Sequence, residues 1–594
     1  MQTLPQFVSE ALGVPNEHKF AERLGAPNWR FTSSGRMLER ARAVAYALRA
    51  AGVARGDRVA LISENRVDWL AADFGILFAG AVVVPVFATL ALDQVDYIFK
   101  DSGAKLAFVE TAADAERLAA ACPATPRCVA FDGEGPGSLA EFETMGASAA
   151  EADPAAFDGF TNGTDPSELA VLIYTSGTTG YPKGVMLSHA NLVSDTIAAA
   201  AVLPETVKRP GQVILSVLPF AHIYEHTDAL WFVRSLVDVY ITQPDYLLED
   251  LKAARPVLMA LVPRIFERVL AGIQGKAKAE GGLKARLVPW ALGVGRDYMA
   301  ATLDGRKPGA PLALQFAIAQ KLVLSKIKPT IGLDRLEFFV SGSAPLHRDI
   351  ALTFAGMGVP IAEGYGLTET SPVVTANPPD AIRYGSVGKP IGGVQLAIAA
   401  DGEILVKGPN VMLGYYHLPS EHPFDKDGWF KTGDIGELDA DGYLFVTDRK
   451  KELIKTSTGK YIAPGRVESA LKRSIYIGQC FVIGDGRSFP LALVAPNWEL
   501  VRKEFGIPPE VPNAVISERA DVLDFMTRQV IEKTADLSSF EQIRKVALLP
   551  RDLTIEDGEL SPTLKVKRRV VEKKFAGLID AAYRGLPAGA LRAR

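Results

Sequence analysis

Cysteine is scarce in this chain: Cys122, Cys128 and Cys480 are the only three among 594 residues. So few thiols exclude a disulfide framework, and nothing near Cys122 and Cys128 completes a metal site. The first seven residues lack both a basic n-region and an apolar h-region, so no secretory leader is read and reduced thiols in a cytoplasm are expected. A dominant charge is missing too. The formal net charge of −4 removes any global case for nucleic-acid binding. Long apolar runs are nearly absent. Phe74 to Leu92 is uncharged for nineteen residues, enough by count to span a bilayer. Gly80 and Pro85 interrupt it, and Val82-Val83-Val84 reads as a strand after a helix, so a βα unit is predicted instead.

What is present is a long chain of ordinary composition, too long for one core, so two or more domains are expected. Residues 36–130 alternate helical and strand periodicity: a helix over Met37–Ala51, strands at Arg58–Ile62, Val82–Val86 and Lys105–Glu110, and a helix over Asp68–Ala79. Alternation of this kind predicts a largely parallel sheet with helices on both faces. Residues 133–167, rich in Gly, Ala, Ser and acids, read as a surface connection.

The most informative stretch is Tyr174 to His189. A buried strand, Leu169–Tyr174, runs into a loop of hydroxyls and glycines, followed by the short apolar run Val185–Leu187. Gly177, Gly180 and Gly184 let backbone N–H groups approach an anion. Thr175, Ser176, Thr178 and Thr179 add hydroxyl donors, and Lys183 adds a positive charge. Those are the parts of a polyphosphate cradle, although no Walker spacing is present. Further on, strands at Leu336–Val340 and Val359–Ala362 each end in a small-residue turn, Ser341–Pro345 and Glu363–Thr370. Two such turns form a slot at the carboxyl edge of a sheet, where open α/β proteins bind ligands. Gly342, Ser343 and Ala344 let a purine lie flat on their backbone, and Tyr365, between Gly364 and Gly366, can stack on its other face. Thr368 can donate to a phosphate, and Glu369 offers a hard oxygen to Mg²⁺.

The Tyr174–His189 loop resembles the phosphate-loop signature of the adenylate-forming superfamily: acyl-CoA synthetases, luciferases and the adenylation domains of peptide synthetases. Glu363-Gly-Tyr-Gly-Leu-Thr-Glu-Thr370, Asp427-Gly-Trp-Phe-Lys-Thr-Gly-Asp434, Thr447–Pro464 and Glu559–Arg569 resemble the family's other segments in family order. Val262-Pro-Arg-Ile-Phe-Glu267 and the Ser-Pro-Thr-Leu-Lys form at 561–565 are similar to the long-chain fatty acyl-CoA synthetase branch, although many members carry glycine where Leu564 stands. The resemblance covers about 35–575.

It implies an α/β fold: a large N-terminal domain (1–446) of doubly wound sheets with a β subdomain, a hinge (447–451) and a small mobile α+β C-terminal domain (452–594). It implies a fatty acid, ATP and CoA as small-molecule substrates, with Mg²⁺. The nucleotide would be held by Thr175, Ser176, Gly177, Thr178, Thr179, Gly180, Lys183, Gly342, Ser343, Ala344, Gly364, Tyr365, Gly366 and Thr368. Asp434 and Arg449 would contact the ribose, and Glu369 with Thr175 would serve the metal. Lys451 matches the hinge position, and Lys455, Gly459 and Lys460 lie on the loop that faces CoA. Lys565 matches the lysine that contacts the reacting carboxylate and α-phosphate.

A stretch similar to Leu218-Pro-Phe-Ala-His-Ile-Tyr-Glu-His226 borders the acyl pocket in acyl-CoA synthetases, which makes His222 and Glu225 site candidates. A lone histidine is as often a structural hydrogen-bonder, and Trp231 and Phe232 either line that pocket or belong to the core. Residues 271–330 hold ten Lys/Arg against Glu280, Asp297 and Asp304, interleaved with Leu287, Trp290, Phe316 and Leu322. This pattern suits either a solvated helical pair or peripheral contact with an anionic membrane at its inner face.

The expected function is an AMP-forming long-chain fatty acid–CoA ligase. Three other readings stand beside it: an acyl-AMP ligase loading a carrier protein, a ligase for shorter or aromatic acids, and a catalytically quiet lipid-binding protein of the same fold.

Overall fold

A computed structural model describes residues 2–175, 182–303, 307–419, 422–450, 452–457, 460–560 and 566–584. The chain divides into two compact units. One comprises 1–397, 405–432 and 438–444, and the other 398–404, 433–437 and 445–594.

Two large sheets form the first unit. A seven-stranded sheet has the order Gly414–Tyr415, Lys183–Ser188, Leu169–Thr175, Val82–Val86, Arg58–Ile62, Leu106–Val109, Arg127–Ala130. Its last five strands are parallel to one another, while Lys183–Ser188 runs back antiparallel against Leu169–Thr175. The near-continuous burial of Val82–Val86 and Leu106–Val109 is what a sheet covered on both faces requires. Phe74–Leu92 is a buried helix ending at Phe78, a turn at Gly80 and the Val82–Val86 strand, as predicted. Among the described residues no helix is long and apolar enough to cross a membrane.

The second sheet has nine strands, and the sequence Val213–Ser216, Leu258–Leu261, Phe338–Ser341, Ile361–Gly366 at its centre is parallel. Phe339, Met259 and Leu215 from its strands are buried with Phe266, Phe354 and Leu292 from the covering helices. Three helices, Pro263–Glu280, Lys284–Leu303 and Ala310–Ala319, form an insert in this layer. The last continues through a π turn at Gln320–Leu324 into Ser325–Thr330. Lys284–Leu303 crosses the Arg348–Gly356 helix closely, because Gly295 meets Gly356 there. A Cβ on Gly356 would stand 2.6 Å from the Gly295 carbonyl carbon.

Residues 133–167 differ from expectation. They hold two helices, Leu139–Ala152 and Ala156–Asn162. Small residues permit a tight helix crossing here: a Cβ on Gly146 would lie 1.8 Å from the Ala43 carbonyl oxygen of the Ser34–Ala50 helix. Composition that suggested a linker is the composition of a helix seam. Gly146→Val is expected to destabilise the first unit by about 1–3 kcal/mol through overpacking. Gly135→Ala, whose Cβ would meet nothing within 4 Å, serves as the neutral control in urea unfolding.

The second unit is built on a three-stranded sheet, with Ile477–Ile483 antiparallel to Leu491–Pro496 and Lys545–Leu548 parallel to the latter. Alternate residues go to opposite faces. Cys480, Val482, Ala492 and Val494 join a core with Val467 and Met526, while Phe481, Ile483, Leu491 and Leu493 join another with Val571 and Ile579. A sheet covered by helices on both faces makes this part α+β, as expected from the resemblance.

Candidate active site

The cradle strand ends at Thr175, which pairs across the ladder with Lys183. Ser176, Gly177, Thr178, Thr179 and Gly180 lie outside the described residues; the two ends that flank them are held in register. Lys183–Ser188 is in turn paired with Gly414–Tyr415, placing Tyr415 opposite Val185. The Lys183 ammonium sits 5.3 Å from the centre of the Tyr415 ring, and Tyr415 Oη donates to Glu369 Oε1 at 2.8 Å. A cation, a phenol and a carboxylate from three distant parts of the chain therefore stand in one line from the phosphate loop to the Glu369 turn.

The slot reading rests on register. Ser341 pairs with Glu363 in parallel strands, so Gly342–Ala344 leave the sheet at the carboxyl edge beside Gly364–Gly366, which stay in it by pairing with Val373–Ala376. The strand carrying Tyr365 extends through Gly366 and there turns antiparallel against Val373–Ala376, further than the sequence pattern indicated. Gly366 is demanded by backbone proximity, since a Cβ would come within 1.8 Å of the Pro372 carbonyl oxygen. Gly342 carries the Tyr224 ring against it, with Tyr224 Cε1 3.0 Å from where a Cβ would stand. Ser343 adopts φ 69°, a left-handed conformation costly for a residue with a Cβ and typical of ligand-contacting loops.

Thr368–Thr370 form one 3₁₀ turn, and buried polar side chains fix it in place. Thr227 Oγ1 donates to the Ser371 carbonyl at 2.9 Å, and Asn410 Nδ2 donates to the Thr370 and Val373 carbonyls at 3.0 and 2.7 Å. Asp195, fully buried on the His189–Val202 helix, accepts from Val373 N at 3.0 Å. Burial pushes its carboxyl well above the usual carboxylate range, against the pull of the Val373 N–H and Asn410. A neutral Asp195 has a proton to donate, and Asn410 Oδ1 is a buried acceptor with no other donor among the described residues. Asp195→Asn is therefore expected to retain stability and activity. Asp195→Leu strands the Val373 N–H and should cost about 1–3 kcal/mol with a fall in kcat, read by unfolding and steady-state rates together.

His222 caps the Ile223–Arg234 helix, its Nδ1 accepting from Tyr224 N at 3.2 Å. Asn65 clamps the preceding loop, donating to the Leu218 carbonyl at 2.6 Å and accepting from Phe220 N at 2.8 Å. Any acid–base role for His222 falls to Nε2. Glu225 is buried and bonded to Ser216 Oγ at the end of a parallel strand. Burial and the neighbouring Asp228 raise its pKa well above normal, and burial raises Asp228 to about 8, so the pair holds a proton at neutral pH. Glu225 is thereby fixed at the carboxyl end of the Val213–Ser216 strand. Trp231 is buried on the same helix, edge-on to Phe232 with ring centroids 5.4 Å apart.

In the second unit, Arg449 Nε lies 3.2 Å from Asp434 Oδ1. Their alignment follows from Lys450 N donating to the Gly433 carbonyl at 2.8 Å and Gly433 N donating to Glu403 Oε1 at 2.9 Å. Gly433 takes φ 73°, which glycine alone adopts without strain. Lys455 lies exposed on a two-residue strand beside Asp485, and Lys460 faces the Phe540 ring at 5.9 Å. Lys451, Gly459 and Lys565 lie outside the described residues. The ends flanking 561–565 are held together: Leu560 bridges Val566, and Lys567 N donates to the Glu559 carbonyl at 2.8 Å. Glu559 is itself clasped by Arg551 at 2.7 and 2.8 Å. The basic cluster here is only partly surface charge, since Arg568 turns inward to Glu468 at 2.9 Å and Glu452 at 3.2 Å.

Tyr415, Asp195 and Tyr224 were not anticipated as site-building groups. The one local signal was the Gly414-Tyr-Tyr416 sequence; the contacts themselves span more than forty residues.

The AMP-binding enzyme family model matches residues 16–416, and that family's C-terminal domain model matches 451–586. The chain belongs to the AMP-binding enzyme family. Among the relatives of this AMP-binding enzyme, Long-chain-fatty-acid–CoA ligase FadD15 of Mycobacterium bovis is 37% identical over 564 residues, 93% of this chain and 92% of that one. Long chain acyl-CoA synthetase 6, peroxisomal, of Arabidopsis thaliana is 32% identical, covering 90% of this chain and 79% of that one. Among solved structures, ATP-bound MatB from Rhodopseudomonas palustris matches 96% of this enzyme and 99% of its own chain, with a TM-score of 0.70 and 25% identity. The A domain of carboxylic acid reductase from Segniliparus rugosus, with AMP and a co-purified carboxylic acid, shares the fold with a TM-score of 0.75 at 21% identity.

Proposed function

We propose that this AMP-binding enzyme is a long-chain fatty acid–CoA ligase. The observation that carries the reading is the Thr175–Lys183–Tyr415–Glu369 line, set beside a carboxyl-edge slot in a chain 37% identical to a ligase of that name. In the first step a carboxylate oxygen of the fatty acid attacks the α-phosphorus of ATP. The bond to the β-phosphate breaks, and pyrophosphate leaves. In the second, the CoA sulfur attacks the acyl carbonyl carbon, AMP departs as the C–O bond breaks, and the thiol proton passes to solvent.

The fatty acid supplies the first nucleophile, so the protein's work is positioning and charge stabilisation. Thr175, Lys183 and the 176–180 loop would hold the phosphates, Gly342–Ala344 and Tyr365 the adenine, and Asp434 with Arg449 the ribose. Glu369 would hold a hard cation through its carboxylate, which Tyr415 orients by donating to Oε1; bound Mg²⁺ would neutralise phosphate charge there. Lys565 would meet the developing charge on the α-phosphate. His222 and Trp231 would border the acyl chain, and Lys455, Gly459 and Lys460 would face CoA after movement about a hinge at 447–451, with Lys451 as the hinge residue. Residues 271–330 would rest peripherally on the inner face of a membrane.

The test is ATP–pyrophosphate exchange across a panel of carboxylic acids, followed by CoA consumption. Exchange confined to long-chain acids with stoichiometric acyl-CoA supports the reading. Exchange without CoA use points to carrier-protein loading, and exchange only with short or aromatic acids moves the substrate class.

A further inference from the structure

The helix Ala310–Ala319 is apolar yet sits at the surface. Its inner side is occupied: Phe316 stacks on Tyr298 of the Lys284–Leu303 helix with ring centroids 4.0 Å apart and planes 6° from parallel. Its outer side is not. Leu314, Ile318 and Leu322, four residues apart, are 64%, 43% and 48% exposed, an unbroken apolar stripe along the rod. A single exposed leucine is ordinary; three in register on one helix face are not.

Along the chain, the charge flanking the stripe has one sign. From Gly305 to Leu333 there is no Asp or Glu, while Arg306, Lys307, Lys321, Lys326 and Lys328 fall in that interval. Lys307, Lys321 and Lys326 are exposed, and Lys328 is spent on the Leu336 and Gly358 carbonyls. In the two preceding helices Glu280 pairs with Lys284 at 2.7 Å and Asp297 with Arg296 at 2.8 Å. An apolar ridge flanked by Lys321 and Lys326, which form no ion pair among the described residues, is complementary to one kind of surface: hydrocarbon below, anionic headgroups around.

We infer that the Ala310–Thr330 rod is a membrane-docking surface, with Leu314, Ile318 and Leu322 entering the acyl boundary of an anionic bilayer and Lys321 and Lys326 engaging its headgroups. The docking itself stands without the ligase reading. Its use, drawing a bilayer-dissolved acid to the site, rests on that reading. The rod belongs to a helical insert that packs on the Arg348–Gly356 helix, immediately after the Ser341–Pro345 turn of the slot. The docked surface is thus rigidly tied to the carboxyl edge.

The experiment is co-sedimentation of the full chain with vesicles of phosphatidylcholine alone or mixed with phosphatidylglycerol. The wild-type chain is expected to bind the mixed vesicles and to release as salt rises. Leu314→Ser/Ile318→Ser/Leu322→Ser should weaken that binding by at least about tenfold, and Lys321→Glu/Lys326→Glu by a similar factor for the anionic vesicles alone. All five positions are exposed, so circular dichroism and exchange activity with a water-soluble acid should match wild type, which separates loss of docking from loss of the ligase itself. Absent wild-type binding, or binding unchanged in both variants, overturns the inference. So does a triple variant that converts a dimer to a monomer with vesicle binding intact, since the stripe would then cover a second copy of the chain.

Discussion

Replacing Lys565 by alanine is expected to slow acyl-adenylate formation by about 10²–10³-fold or more while leaving thioester formation from supplied acyl-adenylate nearly unchanged. The reason lies in where charge develops. In the first half-reaction negative charge moves onto the α-phosphate oxygens and the leaving pyrophosphate, and an ammonium there stabilises the transition state more than the ground state. In the second half-reaction the acyl–phosphate bond of a reactive mixed anhydride breaks, and the attacking sulfur is already a good nucleophile once ionised. The residues on either side of 561–565 are held together by the Leu560–Val566 bridge and the Arg551–Glu559 clasp. ATP–pyrophosphate exchange and thioester formation from synthetic acyl-AMP, measured on the same variant, separate the two steps. Equal loss in both would show that Lys565 does not divide its labour in this way.

The second large effect is expected at Glu369. Glu369→Gln keeps shape, and its amide oxygen still accepts the Tyr415 hydroxyl that binds Oε1 at 2.8 Å. Only the negative charge is lost. Adenylation should fall by about 10²–10³-fold, with the magnesium concentration for half-maximal nucleotide binding shifted upward in calorimetry. Tyr415→Phe retains the charge but frees the carboxylate to rotate, and it should cost about tenfold in kcat with a smaller magnesium shift. A Glu369→Gln enzyme with normal kcat and an unaltered magnesium requirement would remove Glu369 from the metal site and leave it a structural partner of Tyr415.

Several features of this protein are written locally and were legible without coordinates. The βα order of 58–130 follows from runs whose periodicity changes between two and 3.6 residues, and such runs report burial by themselves. Phe74–Leu92 was separable from a membrane span because Gly80 and Pro85 break any continuous helix. Segments such as Tyr174–His189 and Glu363–Thr370 carry their donor and acceptor groups in consecutive residues, so the sequence by itself suffices to propose a phosphate cradle and a purine slot for them.

What consecutive residues do not encode is contact across the chain. Residues 133–167 suggested a linker because Gly and Ala are common in loops; they form helices because Gly146 admits the backbone of Ala43 where any side chain would collide. Nothing local in the 565–569 basic cluster marks Arg568 as the side chain that turns to Glu452 and Glu468. Tyr415 gained a role only when strand pairing set it beside Lys183 and its hydroxyl on Glu369. Composition and periodicity thus pointed to the class of fold from the sequence alone, and the resemblance carried by the ordered motifs pointed to the family that the family models match. Which side chains face one another was decided by the tertiary structure, because burial and hydrogen bonding act through space between residues far apart in the chain, as Asp195 and Val373 are.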